Sequence, residues 1–261
     1  DASLRGLSCA LVDQGDFASG TSSKTTKLIH GGIRYLEQLE FGLVRQAIQE
    51  RALLLKQAPH LVRPLSFLIP QMGSSPRPWP LVRLGAALYD FLAGKAVVQT
   101  HRALGQTALR RIEPRLSEKG ILRGVLYTDA QMDDARLVLE VLQAAVEAGA
   151  VVVNHCPVVR FLVEANRMAG AVVEDRLTGK SLPVRARGVI NAAGPWVDRI
   201  RRLVDPAASP LLRPSKGIHL VYPDLGLKQA LLLSARKDRR IFFLIPWRGL
   251  TQIATTDTDF S

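Results

Sequence analysis

The sequence predicts a mixed α/β fold of two interleaved parts, one with doubly wound parallel strands and one with an antiparallel sheet. Residues 7–13 (LSCALVD) and the segment from Ala150 (AVVVNHCPV) are apolar runs typical of buried parallel strands. Between and after them, short strands are separated by turn residues, as in antiparallel sheets. Because the two patterns alternate along the chain, two interleaved domains are predicted rather than two consecutive ones.

The elements of the first half are predicted from periodicity and from the residues that end each run. A helix that Pro59 ends has an apolar face formed by Val44, Ala47, Ile48, Leu54, Leu55 and Ala58. The run PLSFLIP is predicted as a strand, and residues 79–92 and 106–116 are predicted as helices. The run GVLYTDAQMD is a strand that leads into a helix capped by Asp133 or Asp134.

The second half is predicted to consist mainly of strands. Three antiparallel strands have turns at residues 164–166 and 178–179, and a fourth apolar strand covers residues 188–191. The runs GIHLVYP, ALLLSA, RIFFLIPW and LTQIATT are further strands. We therefore predict that residues 1–62 and 134–205 form the doubly wound domain. Residues 63–133 and 206–261 are predicted to form the antiparallel domain.

The composition indicates a globular protein with anionic partners. The formal net charge is +12, which favours phosphorylated small molecules or acidic membrane surfaces. The basic clusters at 199–202 and 236–240 are not interleaved with stacking aromatics, so no nucleic-acid partner is predicted. No apolar run is long enough to span a bilayer, and no signal peptide is expected. Cys9 and Cys156 are expected to be buried free thiols, and no metal site is predicted.

Residues 15–37 (GDFASGTSSKTTKLIHGGIRYLE) combine small residues, hydroxyls and lysines, which suit a phosphate ligand. Gly15 and Gly20 have the glycine spacing of a nucleoside-triphosphate loop, but Thr21 stands where that loop requires lysine, so this class of site is excluded. Asp13 ends an apolar strand, as the ribose-binding acid of dinucleotide folds does. No G-x-G-x-x-G occurs in the 261 residues, and by spacing alone a simple buried strand is the alternative.

Seven motifs occur in one order: FASGTSS, KLIHGGIRYLE, APHL, YTDAQMDDARL, VINAAGPWVD, PSKGIHLV, and IPWRG with ATTDTDF. In this order they closely resemble the flavin-dependent, quinone-linked glycerol-3-phosphate dehydrogenases. The resemblance implies an amino-acid-oxidase-like fold, in which an FAD-binding domain is interleaved with a substrate domain. It implies FAD as cofactor and oxidation of glycerol 3-phosphate to dihydroxyacetone phosphate, with electrons passed to a membrane quinone.

The resemblance assigns the cofactor contacts. Asp13 would accept hydrogen bonds from the adenosine ribose, and the backbone of Val158 would face the adenine. The remaining FAD contacts are Gly20, Thr21, Ser22, Ser23, Lys27, Leu28, His30, Gly31, Gly32, Ala192, Ala193, Gly194 and Trp196. Taken alone, Gly31 and Gly32 could equally form a simple turn, but within their motif they would let backbone approach the flavin.

The substrate contacts implied by the resemblance are Arg34, Tyr35, Lys216 and His219. Arg34 offers the planar pair of N–H donors that fits a phosphate, with help from Lys216. His219 is expected to accept the hydroxyl proton, because an imidazole is a base near neutral pH. His30 is the second choice as base, and a structural strand histidine is the alternative for His219.

The resemblance also concerns partners and location. It implies peripheral binding to an anionic membrane surface, on the cytoplasmic side of the inner membrane, and is compatible with a homodimer. Residues 79–92 are expected to pack in the core, with a membrane-facing surface as the alternative. Residues 255–259 are expected near the active site, and Arg248 has only a weak claim to a role. The alternatives are a glycerol-3-phosphate oxidase or an amine-oxidising relative that uses oxygen, and a truncated, non-catalytic FAD-fold fragment.

Overall fold

A computed structural model describes residues 1–72, 75, 77–116, 120–235, 237–238, 240–254, 256 and 258–260. Its α-helices are α1 Phe41–Gln57, α2 Trp79–Ala93, α3 Gln106–Ile112, α4 Asp134–Glu147 and α5 Val197–Arg201. Its strands are β1 Ala10–Val12, β2 Leu28–Ile29, β3 Val62–Met72, β4 Arg102–Gly105, β5 Ile121–Met132, β6 Val151–Val153, β7 Val158–Glu164, β8 Arg167–Glu174, β9 Ser181–Arg185, β10 Ser215–Lys216, β11 Leu220–Pro223, β12 Ala230–Ser234, β13 Ile241–Trp247, β14 Leu250–Ala254 and β15 Thr258–Asp259.

The chain divides into two compact units, each made of separate segments. The first unit consists of Asp1–Thr25, Asp134–Lys216 and Thr258–Ser261, and the second of Thr26–Asp133 and Gly217–Asp257. Residues 26–62, which the sequence analysis gave to the doubly wound domain, therefore cluster with the second unit. The physical reason is that β2 pairs with β5 and that α1 packs against α2 and β3. The cofactor and substrate roles given to the two domains stay a prediction.

The first unit contains the parallel strand pair that the sequence predicts. β1 and β6 pair in parallel, with Ala10 opposite Val151 and Val12 opposite Val153. Strands β7, β8 and β9 form an antiparallel meander, which confirms the three strands and two turns expected there. α4 connects the end of β5 to β6, so the predicted helix-to-strand unit is also confirmed.

The second unit is built on one large, mainly antiparallel sheet in the order β11-β14-β13-β12-β3-β5-β2, with β4 also paired to β5. β12 pairs in parallel with β3, only at Phe67 and Leu68. Among the described residues, Pro64 and Pro70 therefore lie where β3 has β5 as its only ladder partner, and no second ladder bond is lost there. This is why the strand continues through both prolines and extends beyond the predicted run PLSFLIP at each end.

The core of the second unit lies under α1 and α2. Val44 and Ile48 of α1 are fully buried, as the predicted helical face requires, and they cluster with Phe67 of β3. The rings of Phe67 and Tyr127 stack with centroids 5.2 Å apart. Tyr89 of α2 is buried in the same cluster, so one face of this helix packs in the core as expected, whereas Leu84 and Phe91 are exposed.

Several predicted elements are shorter than expected, and one is wrong. Residues 188–191 form no strand, because this segment has no ladder partner among the described residues; Ile190 is 90% exposed. Residues 7–13 and 150–158 are strands only over the three pairs that face each other. α3 ends at Ile112 rather than at residue 116, since Glu113 precedes a proline and leaves helical geometry.

No helix among the described residues is long and apolar enough to cross a membrane.

Candidate functional site

Asp13 follows β1 directly and lies at the carboxyl end of the parallel pair. Its backbone N–H donates to the carbonyl of Val153 (2.9 Å), and its carbonyl accepts from Cys156 N (2.7 Å). Its Oδ1 accepts a hydrogen bond from Gly15 N at 2.9 Å. These bonds fix a half-buried carboxylate at the edge of a parallel sheet where dinucleotide folds bind their ligands.

The loop of Gly20, Thr21, Ser22 and Ser23 is held by its own side chains and by α4. Residues Thr21–Ser23 form one turn of 3₁₀ helix, and Lys24 Nζ donates to the carbonyls of Ser19 and Gly20. Thr25 binds the buried Asp134 twice, through Oγ1 (2.8 Å) and through its backbone N–H (3.3 Å). The hydroxyl-rich turn is thereby fixed to the first turn of a helix.

Gly20 and Trp196, two of the predicted cofactor contacts, lie against each other in the first unit. A Cβ added at Gly20 would come within 3.0 Å of the indole ring. Trp196 ends the short 3₁₀ turn Gly194–Trp196, and its side chain is 43% exposed. A side chain at Gly20 would therefore make a tight contact that requires the indole ring to shift by a few tenths of an ångström.

The segment Asn191 to Trp196 is shaped by the side chain of Asn191. Its Oδ1 accepts from Ala193 N (3.2 Å), and its Nδ2 donates to the carbonyl of Val197 (3.0 Å). Gly194 has a positive φ of 54°, and a Cβ there would meet nothing within 4 Å. Gly194 therefore lies next to open space, and the small residues Ala192 and Ala193 precede it. Asn191 has a structural role, one of the two the sequence allowed.

Lys27, Leu28, His30, Gly31 and Gly32 belong to the second unit. Lys27 adopts a positive φ of 59°, and its carbonyl accepts from Met132 N at 2.9 Å. Leu28 is buried in β2, whereas the side chain of His30 is exposed. Gly32 is also left-handed, with φ at 73°, so the backbone turns sharply directly after Gly31.

Gly31 has a structural reason to be glycine. A Cβ at this position would lie 2.2 Å from the hydroxyl of Tyr89 and 2.4 Å from Cγ1 of Ile48. The core of the unit therefore excludes any larger residue here, independently of a ligand. The predicted approach of this backbone to a flavin stays a prediction.

A buried polar network lies directly beneath Gly31. Oδ1 of Asp129 accepts hydrogen bonds from Tyr89 OH (2.6 Å), from Gly31 N (3.2 Å) and from Arg51 Nη1. Arg51 also donates to the carbonyl of Ala96 at 3.1 Å. The side chains of Arg51 and Asp129 are 1% and 0% exposed, and burial raises the pKa of both Tyr89 and Asp129, the latter against the opposing charge of Arg51.

This network was not predicted from the sequence. Arg51 follows the buried Ile48 by three residues and Val44 by seven, so helical periodicity places it on the inner face of α1. Asp129 lies within the YTDAQMDDARL motif but was assigned no role. The signals were present, but charged side chains are usually expected at the surface.

Arg34 and Tyr35 lie in the 3₁₀ helix Ile33–Gln38 that follows Gly32. The Tyr35 ring packs over Gly32, where a Cβ would come within 2.6 Å, and its side chain is 38% exposed. Arg34 is exposed, and its guanidinium makes no ion pair with any other described residue. An uncommitted guanidinium is available to bind an anion.

His219 lies just before β11, not within a strand with Gly217 as expected. The neighbouring Ile218 N donates to Oγ1 of Thr256 (2.9 Å) instead of to a ladder carbonyl, so the strand begins only at Leu220. Burial, and then the charge of Lys27, hold the pKa of His219 below its usual value of 6.5. The geometry therefore favours the neutral imidazole, the form that can accept a proton.

Lys216 belongs to the first unit. Its ammonium lies 5.6 Å from the ring centroid of Phe260, and its carbonyl accepts from Thr258 Oγ1. Val158, at the start of β7, is half-buried and opposite Val173. Of the motif at residues 255–259, Thr255 and Asp257 lie outside the described residues.

The predicted site residues thus divide between the units. The first holds Asp13, Gly20, Thr21, Ser22, Ser23, Val158, Ala192, Ala193, Gly194, Trp196 and Lys216, and the second holds Lys27, Leu28, His30, Gly31, Gly32, Arg34, Tyr35 and His219. Within the first unit the residues fit a nucleotide-containing cofactor. A carboxylate suits ribose hydroxyls, hydroxyl side chains and backbone N–H groups suit a phosphate, and the open space beside Gly194 admits a ligand.

Comparisons with known proteins identify the family of this chain. A family model described as FAD dependent oxidoreductase matches residues 1–261. Glycerol-3-phosphate dehydrogenase 2 of Mycobacterium tuberculosis is 42% identical over 264 residues, which cover 100% of this chain and 45% of the relative. The aerobic glycerol-3-phosphate dehydrogenase of Staphylococcus saprophyticus is 39% identical, with 99% and 47% covered. The chain spans about half the length of these curated relatives.

A solved structure supports the fold assignment. The glycerol-3-phosphate dehydrogenase of Bacillus halodurans, complexed with FAD, superimposes with a TM-score of 0.80 at 33% identity, over 100% of this chain and 45% of that one. The mixed α/β, amino-acid-oxidase-like fold class is confirmed by the family match and by this likeness.

Proposed function

Because this chain belongs to the FAD dependent oxidoreductase family, we propose that it forms part of an enzyme that oxidises glycerol 3-phosphate to dihydroxyacetone phosphate. The main support is the relatives named glycerol-3-phosphate dehydrogenase, which match along the whole chain. The second support comes from the residues themselves. An exposed guanidinium without an ion pair and an imidazole kept neutral are what a phosphorylated secondary alcohol requires.

FAD, when bound, would accept the hydride that leaves the alcohol carbon. Asp13 would bind the adenosine ribose, and the hydroxyls of Thr21, Ser22 and Ser23 would bind polar groups of the cofactor. Ala192, Ala193 and Gly194 leave room beside it. Each of these residues belongs to the first unit, where a fixed backbone holds it.

Arg34 would bind the phosphate of the substrate through two parallel N–H donors, and Tyr35 beside it would limit the space. Lys216 is proposed to add a second positive charge for the phosphate. His219 would take the hydroxyl proton, and its low pKa keeps it unprotonated at neutral pH. His30, also exposed, is the alternative base.

The electron acceptor and the location are further parts of the proposal. We propose a membrane quinone as acceptor, with the protein bound peripherally to the cytoplasmic side of the inner membrane, and a homodimer as its assembly. The formal net charge of +12 supports attraction to an anionic lipid surface. An oxidase that uses oxygen is the competing proposal.

The proposal is tested by assaying the FAD-loaded protein with glycerol 3-phosphate and a soluble quinone analogue, while peroxide is measured in parallel. Replacing Arg34 by Ala should raise KM about ten- to hundredfold, because a charge-assisted phosphate contact is lost. Bound FAD should be unchanged. Arg45→Ala is the matched control, since Arg45 is an exposed arginine of α1 in the same unit.

Three results would contradict the proposal at different points. A protein that takes up no FAD would overturn the cofactor assignment. Rapid peroxide release without quinone reduction would favour the oxidase. Equal KM values for the Arg34 and Arg45 variants would remove Arg34 from the phosphate site.

A further inference from the structure

Three donors from three different elements converge on one carboxylate oxygen in the second unit. Asp129 Oδ1 accepts from Arg51 of α1, from Tyr89 of α2 and from the backbone N–H of Gly31, at the turn that follows β2. All four residues are buried. The network therefore links two helices and a central strand to one backbone amide.

Stability alone does not explain this network. Arg51 Nε and Asp129 Oδ2 are buried and have no hydrogen-bond partner among the described residues. Buried polar atoms without partners are costly, and apolar residues of similar size often stabilise such a position as well or better. We therefore consider which part of the backbone the network holds in place.

What it fixes is the backbone at Gly31. The amide of Gly31 is held by Asp129 at 3.2 Å, and its α-carbon faces the Tyr89 hydroxyl so closely that no Cβ fits. The neighbours of Gly31 are the exposed His30 and the left-handed Gly32, from which the helix that carries Arg34 begins. The buried anchor thus fixes the backbone at Gly31, between the end of the β2 ladder and the start of the helix that carries Arg34.

We propose that Asp129, with Arg51 and Tyr89, forms a positioning network that holds residues 27–34 in the conformation that binds ligands. None of the three is proposed to touch substrate or cofactor. The inference rests on the proposed function, in which Arg34 binds the substrate phosphate and the segment before it borders the cofactor. The anchoring of Gly31 by the network can be tested without an activity measurement.

The first test is hydrogen exchange of the backbone amides in residues 28–34, compared with those of β13 in the same unit. Tyr89→Phe removes one donor to Asp129 and keeps the ring, so the fold should survive. Exchange in residues 28–34 should rise about three- to tenfold, the range expected for one lost hydrogen bond. Exchange in β13 should not change.

The second test separates positioning from stability. Asp129→Asn keeps an oxygen that can accept the hydrogen bond from the Gly31 amide, whereas Asp129→Leu removes it. The Asn variant should therefore hold Gly31 better than the Leu variant. In the FAD-loaded protein, Asp129→Leu should raise KM for glycerol 3-phosphate more than Asp129→Asn does. The control is Glu113→Gln, a buried carboxylate of the same unit that binds Arg115 and Gln229 instead.

The outcomes are distinguishable. If the Tyr89 and Asp129 variants lower the melting temperature like Glu113→Gln but leave both the exchange of residues 28–34 and KM unchanged, the network is only structural and the inference is overturned. If exchange of residues 28–34 rises in Tyr89→Phe but the unmodified protein oxidises no glycerol 3-phosphate, the anchoring of Gly31 is supported and the proposed function is wrong.

Discussion

His219 and Lys27 belong to the second unit, and the charge of Lys27 acts on the imidazole of His219. Burial of the imidazole and the positive charge of Lys27 both disfavour the protonated form, so the pKa of His219 is lowered. Well above pH 6.5 the imidazole is neutral in both folded and unfolded chains, and its contribution to stability is fully present. As the pH falls below 6.5 and through the folded-state pKa, protonation is easier in the unfolded chain, and stability is lost.

Replacing Lys27 by Gln should therefore raise the pKa of His219. The acid limb of the profile of kcat/KM against pH should move to higher pH, and an NMR titration of the His219 ring should move with it. Lys56→Gln is the control, because it removes one charge from an exposed position of α1. A His219 titration that is identical in both variants would show that the Lys27 charge does not act on it.

At the residue scale, candidate ligand contacts could be predicted from the sequence, whereas the buried polar residues that bind one another could not. Asp13, Arg34 and His219 were predicted because they lie in recognisable motifs. In the structure Arg34 is exposed and the other two are half-buried, and their roles stay predictions. Arg51, Tyr89 and Asp129 were missed. Each is an ordinary residue in sequence, and only the packing of two helices on a sheet brings them to one point.

At the scale of elements, the turn Thr21–Ser23 and the first turn of α4 depend on a single carboxylate. Asp134 is 4% exposed and accepts two hydrogen bonds from Thr25, while its other oxygen accepts from Ala135 N at 2.8 Å. A turn of three residues has little stability of its own. The bonds of Thr25 to Asp134 therefore act together with those of Lys24 to hold it.

Thr25→Val keeps the shape of the side chain and removes one donor to Asp134. We expect unfolding to be easier by about 1 kcal/mol, the usual contribution of one hydrogen bond, and the affinity for FAD to fall. Thermal unfolding and a titration of flavin fluorescence measure the two effects. Thr26→Val, the same change one residue later, is the control, and equal effects of the two variants would show that the Asp134 bond is not what fixes the turn.

The number and type of the secondary-structure elements were predicted better than the residues at which each begins and ends. A strand exists only where a neighbour pairs with it, so residues 7–13 and 150–158 are reduced to three facing pairs, and residues 188–191 form none. Apolar sequence indicates the tendency to be buried, but not which partner is present. Helix α1 was predicted more closely because its hydrogen bonds are internal to one segment.

At the scale of the whole molecule, the interleaved order was predictable and the boundary was not. Alternating patterns showed that two units share the chain, but the division falls after Thr25 rather than after residue 62. The deciding contact is the pairing of Leu28 with Gln131, more than a hundred residues away. No local pattern encodes such a long-range pair.

The net charge of +12 is the whole-molecule property that bears on membrane binding. If the protein binds an anionic surface by charge, it should co-sediment with vesicles of phosphatidylcholine and phosphatidylglycerol at about 0.01 M ionic strength, where the Debye length is about 30 Å. Binding should weaken strongly at about 0.15 M, where that length is about 8 Å. Vesicles of phosphatidylcholine alone are the control, and glycerol 3-phosphate added to the anionic vesicles tests whether the substrate site contributes. Equal binding to both vesicle types at every salt concentration would show that the excess of positive charge does not bring this protein to a membrane.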